Sequence, residues 1–200
     1  MKKILTACAV AAAALVSVPA FAQGYIGAGL GSSRATGGDG TTAGTTITGS
    51  NSSKSSYKIY GGFKFTPNWG VEAQYTDLGN RSFAISNPLV AAGVPGTGNV
   101  RANQFSIAGT GTLPLSSNFS LIGKLGVTAN RTTGSASAGF VVNNQNRTDA
   151  IIGVGVQYAI TPRLTTRLEY EDFGKFSNNG AVAGGNIRGN NTSLNLQYSF

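Results

Sequence analysis

Eight stretches of this chain alternate apolar and polar residues with a period of two, which is the spacing of a strand and not of a helix. The last is the clearest. Thr192, Leu194, Leu196, Tyr198 and Phe200 fall on one side, and Asn191, Ser193, Asn195, Gln197 and Ser199 on the other. Strands are predicted over 25–31, 57–65, 69–78, 104–113, 119–127, 150–160, 164–173 and 191–200. Most have the 9–11 residues of a tilted membrane strand; the first is shorter. Short turns join the second to the third (Thr66-Pro67-Asn68), the fourth to the fifth (114–118) and the sixth to the seventh (Thr161-Pro162-Arg163). Proline is tolerated there because no ladder donor is needed. The other connections, 32–56, 79–103, 128–149 and 174–190, are long and rich in Gly, Thr, Ser and Asn.

The alternation also sorts the faces. Tyr57, Ile59, Phe63 and Phe65 fall on one face of the second strand, opposite Lys58, Tyr60 and Lys64. Trp69, Val71, Ala73 and Tyr75 stand against Glu72, Gln74 and Thr76 on the third. The sixth carries a continuous apolar face of Ile152, Val154, Val156, Tyr158 and Ile160. Strand direction then places Phe65, Trp69, Phe119, Tyr158, Tyr198 and Phe200 at one end, and Tyr57, Tyr75, Phe105 and Tyr170 toward the other. Two aromatic belts around an apolar band suit lipid, and a soluble sandwich has no need of them. The expected fold is all-β, an eight-stranded antiparallel up-and-down transmembrane β-barrel with both termini in the periplasm.

The N-terminus agrees. Met1-Lys2-Lys3 is followed by an apolar run over 4–18 and by Pro19-Ala20-Phe21-Ala22, with small residues where a signal peptidase reads. Residues 1–22 are expected to be a signal peptide cleaved after Ala22, leaving 23–200 as one barrel domain in the cell outer membrane. Leu5-Thr6-Ala7-Cys8 resembles a lipoprotein box, but a cut there would leave too short an apolar core before it. Cys8 is the only cysteine, so no disulfide is available to 23–200, where a closed hydrogen-bonded barrel can serve instead.

Tyr158-Ala159-Ile160-Thr161-Pro162-Arg163-Leu164-Thr165-Thr166-Arg167-Leu168-Glu169-Tyr170 resembles the last turn and seventh strand of the outer membrane protein A barrel family. Tyr60-Gly61-Gly62-Phe63, then Trp69-Gly70-Val71-Glu72 and Tyr75, resemble its second hairpin. The likeness covers 23–200 in strand order and leaves the loops aside. Members with a periplasmic peptidoglycan-binding domain continue past the eighth strand, so barrel-only members are the better comparison. The family implies an envelope-stabilising role, or a narrow pore.

A barrel of eight strands is just wide enough for side chains to fill its interior, so inward charges must be paired. Counted from the periplasmic ends, Glu72 comes level with Arg167, and Lys124 with Glu169. Lys58, Lys64, Glu171, Asp77 and Asp172 are expected to add to this ladder. With Arg163 the body carries five cations and five carboxylates. Two readings stand: a structural plug, or a gate in which Glu72, Lys124, Arg167 and Glu169 exchange partners. The resemblance puts Glu72 and Arg167 among gate charges. It also implies charged residues where Thr110 and Gln157 stand, leaving Glu72 no second cation to move to.

The excess positive charge lies in the loops: Arg34, Lys54, Arg81, Arg101, Arg131, Arg147, Lys175 and Arg188 against Asp39 and Asp149. These residues are expected to face lipopolysaccharide phosphates, or merely to solvate the loops. Host or phage surfaces are further expected partners of the loops, and the barrel assembly machinery is expected to read Tyr198 and Phe200. Nucleic acid binding is not expected, because no stacking aromatics interleave with the scattered charges. A monomer is expected.

Catalysis is not expected. The chain has no histidine, and its serines and threonines have no plausible activator at neutral pH. Gly27-Ala28-Gly29-Leu30-Gly31 is similar to a dinucleotide-binding loop, but no helix follows and it reads as the first strand. No metal or other cofactor is expected.

Overall fold

The computed structural model describes residues 23–36, 40–42, 45–48, 53–86, 96–136, 145–175 and 188–200. The expected signal peptide and Asp39 lie outside them. Ten strands are formed among the described residues: β1 (Gln23–Thr36), β2 (Gly40–Thr42), β3 (Thr45–Thr48), β4 (Lys54–Lys64), β5 (Trp69–Ser86), β6 (Gly96–Pro114), β7 (Phe119–Ala136), β8 (Gln145–Ala159), β9 (Leu164–Lys175) and β10 (Arg188–Ser199). Eight of them form a ring in which each strand pairs antiparallel with its neighbours. β1 is flanked by β4 and β10, and the β5–β6 ladder completes the closure. In this ring β5 stands diametrically opposite β9, β6 opposite β10, and β7 opposite β1.

The alternation holds around the wall. On β10, Asn191, Ser193, Asn195 and Gln197 are buried while Leu194, Leu196, Tyr198 and Phe200 are exposed. On β5 the buried set is Glu72, Gln74 and Thr76. The outward apolar surface is nearly continuous, with Leu30 74% and Leu125 66% exposed, and both aromatic belts point out. In water this surface would be prohibitive; facing acyl chains it anchors the barrel.

The three short turns share one construction. A hydroxyl at their start accepts the N–H of the first residue of the next strand: Thr66 from Trp69 at 2.9 Å, Ser116 from Phe119 at 3.2 Å and Thr161 from Leu164 at 3.0 Å. Asn68 and Asn118 then donate to Thr112 O and Ala159 O of the adjoining strand, at 2.8 and 3.0 Å. Two of the turns are thereby fastened to the adjoining strand, and the third is held by the Ser199 N–H donating to Arg163 O at 2.8 Å.

The opposite end departs from expectation. β5, β6, β7 and β8 run to Ser86, Gly96, Ala136 and Gln145, well beyond the predicted ends, and β1 runs to Thr36. Much of the segments expected as loops is therefore ladder, and the β2–β3 hairpin adds to the upper part of β5. Above the lipid both faces of a strand are wet, so pairing continues with no apolar alternation to reveal it.

Space in the lumen comes from glycine. A Cβ on Gly29 would overlap the Asn195 carboxamide and lie 2.6 Å from Leu194 O, and one on Gly27 would overlap the Tyr60 ring. The glycines of β1 thus admit large polar side chains from β4 and β10.

The opposite strands β5 and β9 carry the same local device. Tyr75-Thr76-Asp77-Leu78-Gly79 and Tyr170-Glu171-Asp172-Phe173-Gly174 share their tyrosine, aspartate and glycine with an apolar residue before the glycine, following Thr66-Pro67 and Thr161-Pro162 at the same spacing. Gly79 and Gly174 have φ of 80° and 67°, and each donates its N–H to the aspartate two residues earlier, at 2.9 and 2.8 Å. This left-handed step suits glycine alone among common residues. The residue between, Leu78 or Phe173, turns into the lumen, and its carbonyl is held by a buried side chain: Ser33 Oγ to Leu78 O at 2.7 Å, Asn130 Nδ2 to Phe173 O at 3.1 Å. Ser33 and Asn130 lie on β1 and β7, themselves opposite.

Candidate functional site

Six charged side chains meet in the middle of the barrel, from four strands. Lys58 comes from β4, Glu72 from β5, Lys124 from β7, and Arg167, Glu169 and Glu171 from β9. All are buried. Arg167 bonds Glu72 at 2.9 Å and also Glu169. Lys124 reaches Glu72 at 2.5 Å, Glu169 at 3.0 Å and Glu171 at 3.1 Å. Lys58 bonds Glu169, and Glu171 at 3.0 Å. Three cations against three carboxylates make the cluster neutral, which burial demands.

Neutral side chains complete it. Tyr25 donates to Glu72 at 3.1 Å, Gln197 Oε1 accepts from Arg167 at 2.8 Å, and Asn195 donates to Glu169 at 3.3 Å. The Tyr60 ring has all three cations around it, with centroid distances of 5.4 Å to Lys58, 5.6 Å to Lys124 and 4.8 Å to Arg167. Its negative π-face favours cations on desolvated sites.

The structure brings together Glu72, Lys124, Arg167 and Glu169, with Lys58 and Glu171 beside them. Expectation fails at three points. Glu72 does have a second cation: Lys124, expected level with Glu169, bonds Glu72 as well. Asp77 and Asp172 lie on the outer face, following the alternation from Tyr75 and Tyr170; Asp77 is buried there beneath Tyr57 and Arg101, and Asp172 is half-buried beside Arg188. Lys64 is half-buried with no ion pair among the described residues, whereas Arg163 is exposed in the turn where the sequence put it.

Sequence reasoning missed a second layer. On the extracellular side of the ion cluster, Leu78, Ile151 and Phe173 are buried in one apolar cluster with Ala108, with Ala102 packed against it. Leu78 and Phe173 come from opposite strands, so this layer bridges the lumen. A polar chain from Thr76 through Gln104 and Thr128 to Asn130 lines it, with links of 2.9, 2.6 and 3.0 Å. The repeated Tyr-x-Asp-apolar-Gly motif was the signal that could have revealed it.

At the extracellular rim three of the expected loop cations are paired. Arg101 bonds Asp77 at 2.5 Å, Arg188 bonds Asp172 at 3.2 Å, and Arg147 lies 3.4 Å from Asp149. Arg34, Lys54, Arg131 and Lys175 have no ion pair among the described residues, and the side chain of Arg81 lies outside them. Asp149 also accepts the N–H groups of Lys175 and Ala150, both at 2.9 Å.

The Lys175 N–H above all, with Ala150 N–H and Arg147 adding and slight burial opposing, holds the Asp149 carboxyl below its ordinary value. A depressed folded pKa stabilises the fold above the unfolded value, and the benefit is lost as pH falls through the folded one. Acidification below about pH 4, the ordinary aspartate range, should therefore loosen the β8–β9 rim. Hydrogen-exchange protection of the Lys175 amide should fall there, and Asp149→Asn should show the loss already at pH 6. Protection unchanged in both cases would contradict this role.

The outer membrane protein beta-barrel domain family matches residues 7–200. No curated protein matches the chain. Among solved structures, OprG from Pseudomonas aeruginosa is 14% identical with a TM-score of 0.65, over 89% of this chain and 95% of that one. Ail, the attachment invasion locus protein of Yersinia pestis, in complex with the heparin analogue sucrose octasulfate, is 16% identical with a TM-score of 0.56, over 90% and 99%. Neisserial surface protein A is 18% identical with a TM-score of 0.54, over 88% and 97%. At such identities the likeness is one of fold. The closed ring of eight lipid-facing strands and the family match agree: the chain belongs to the outer membrane protein beta-barrel domain family.

Proposed function

We propose that this protein is a sealed structural barrel of the outer membrane that acts through its extracellular rim and loops. One observation carries the reading: the lumen is filled at two levels, by a neutral ion cluster and by an apolar layer. A buried apolar layer where Leu78, Ile151 and Phe173 meet disfavours a water column there, so work is left to the surfaces. The rim faces lipopolysaccharide, and the loops face host or phage surfaces; the heparin analogue bound by Ail supports engagement of polyanions by a barrel of this shape. The protein is a monomer without catalytic activity. It is exported with residues 1–22 as a signal cleaved after Ala22. The barrel assembly machinery reads Tyr198 and Phe200, whose rings pack edge to face at 5.9 Å on the outer wall.

A second reading, a narrow gated pore, is favoured by the two cations on Glu72. That carboxylate can release Arg167 and keep Lys124, or the reverse. Single-channel recording of the refolded protein in a planar bilayer separates the two. Silence from the wild type and from Glu72→Gln is the expected result. Discrete openings altered by Glu72→Gln would replace the sealed barrel with the gate.

A further inference from the structure

The repeated Asp-apolar-Gly device has an outward side. Asp77 on β5 bonds Arg101 on β6 at 2.5 Å. Arg131 on β7 is the diagonal neighbour of Arg101, since Arg101 stands opposite Thr133 and Arg131 opposite Asn103. Halfway around the ring, Asp172 on β9 bonds Arg188 on β10 at 3.2 Å. Arg34 on β1 is the diagonal neighbour of Arg188, since Arg188 stands opposite Thr36 and Arg34 opposite Asn190. The two constellations follow each other in the same rotational sense, so a pseudo-twofold axis along the barrel relates them.

Each holds two guanidiniums and one carboxylate, a net charge of one positive, and Lys175, opposite Arg188, adds a further cation beside the second where Asn80 stands opposite Arg101 in the first. Cross-strand diagonal neighbours lie roughly 7–8 Å apart, within reach of long side chains, and like charges there repel. An anion between the guanidiniums would remove that repulsion. Both pairs point sideways: all four arginines are exposed on the outer face. Arg34 lies four residues beyond exposed Leu30, Arg101 four beyond Phe105 and Arg131 four beyond Val127. That is about 13 Å along a strand, where the apolar wall gives way to headgroups.

We infer that these are two paired phosphate sites for lipid headgroups of the outer leaflet. Arg34 and Arg131 supply the guanidiniums that no carboxylate of the described residues compensates. The planar fork of arginine matches phosphoryl oxygens bidentately, and Arg101 and Arg188 are held ready by their aspartates. Lys54 and Arg147 sit on the lumen side of their strands, by alternation from Ser56 and by pairing with Asn130, and take no part. The inference rests on the rim-directed reading above and names its ligand chemistry.

The test is thermal unfolding of the refolded protein, read by gel mobility, in phosphatidylcholine bilayers with and without bis-phosphorylated lipid A. Lipid A should raise the wild-type midpoint. Arg34→Gln or Arg131→Gln should each lose about half of that shift, and the double variant nearly all. Lys54→Gln should keep it. Dephosphorylated lipid A should give none, and inorganic pyrophosphate in detergent should not reproduce it. An undiminished shift in the double variant, an equal shift with dephosphorylated lipid A, or loss in Lys54→Gln would overturn the inference. An equal shift with pyrophosphate would reassign the sites to soluble anions and overturn the lipid source. A conducting barrel that still gains stability from lipid A would sink the sealed-lumen reading and leave this one standing.

Discussion

Arg167→Met is expected to destabilise the barrel by about 3–5 kcal/mol, the usual consequence of removing one partner from a buried ion pair. Arg167 bonds Glu72 and Glu169 and lies on the Tyr60 ring, so its loss leaves three carboxylates facing two cations in a buried space. The control is informative. Arg167→Met with Glu72→Gln leaves Lys58, Lys124, Glu169 and Glu171, each still bonded to both opposite charges of that quartet. The double variant should recover most of the loss in urea unfolding of the refolded protein. A double variant as unstable as the single one would mean that Arg167 acts by packing, and that neutrality is not what holds the cluster.

Phe173→Ala is expected to be comparably severe, about 3–5 kcal/mol, because the ring is fully buried. It should also divide the two barriers in the lumen. With Leu78 left facing a void, the apolar layer no longer bridges β5 and β9, and the ion cluster becomes the only obstruction. Phe173→Ala alone should therefore remain non-conducting, whereas Phe173→Ala with Glu72→Gln should pass ions in a planar bilayer. Conduction by the single variant would make the apolar layer the sole seal. Silence from the folded double variant would mean that the remaining filling side chains suffice.

The strands and short turns were legible because lipid on one side and a filled lumen on the other impose strict alternation. That pattern identifies Lys58, Glu72, Lys124, Arg167 and Glu169 as inward from the chain alone. It also places Asp77 and Asp172 outward, beside Tyr75 and Tyr170. Expecting them in the lumen gave charge priority over periodicity, when an outward carboxylate at the headgroup level needs only a neighbouring arginine. The upper strands were not legible, since two wet faces leave no hydrophobic period to read.

By itself, then, the sequence determined which residues face lipid, which face the lumen, and where the chain turns back. Its repeated Tyr-x-Asp-apolar-Gly motif also marked two equivalent places. The tertiary structure decided who meets whom. Equal counts from their turns already set Glu72 level with Arg167 and Leu78 level with Phe173, but that Lys124 also reaches Glu72, and that Leu78 and Phe173 join in one apolar cluster, shows only in the closed barrel. The glycines of β1 then leave the room for those side chains to meet. The same closure sets Arg34 on the first strand beside Arg188 on the last, whereas Arg101 comes beside Arg131 through the register of the β6–β7 hairpin.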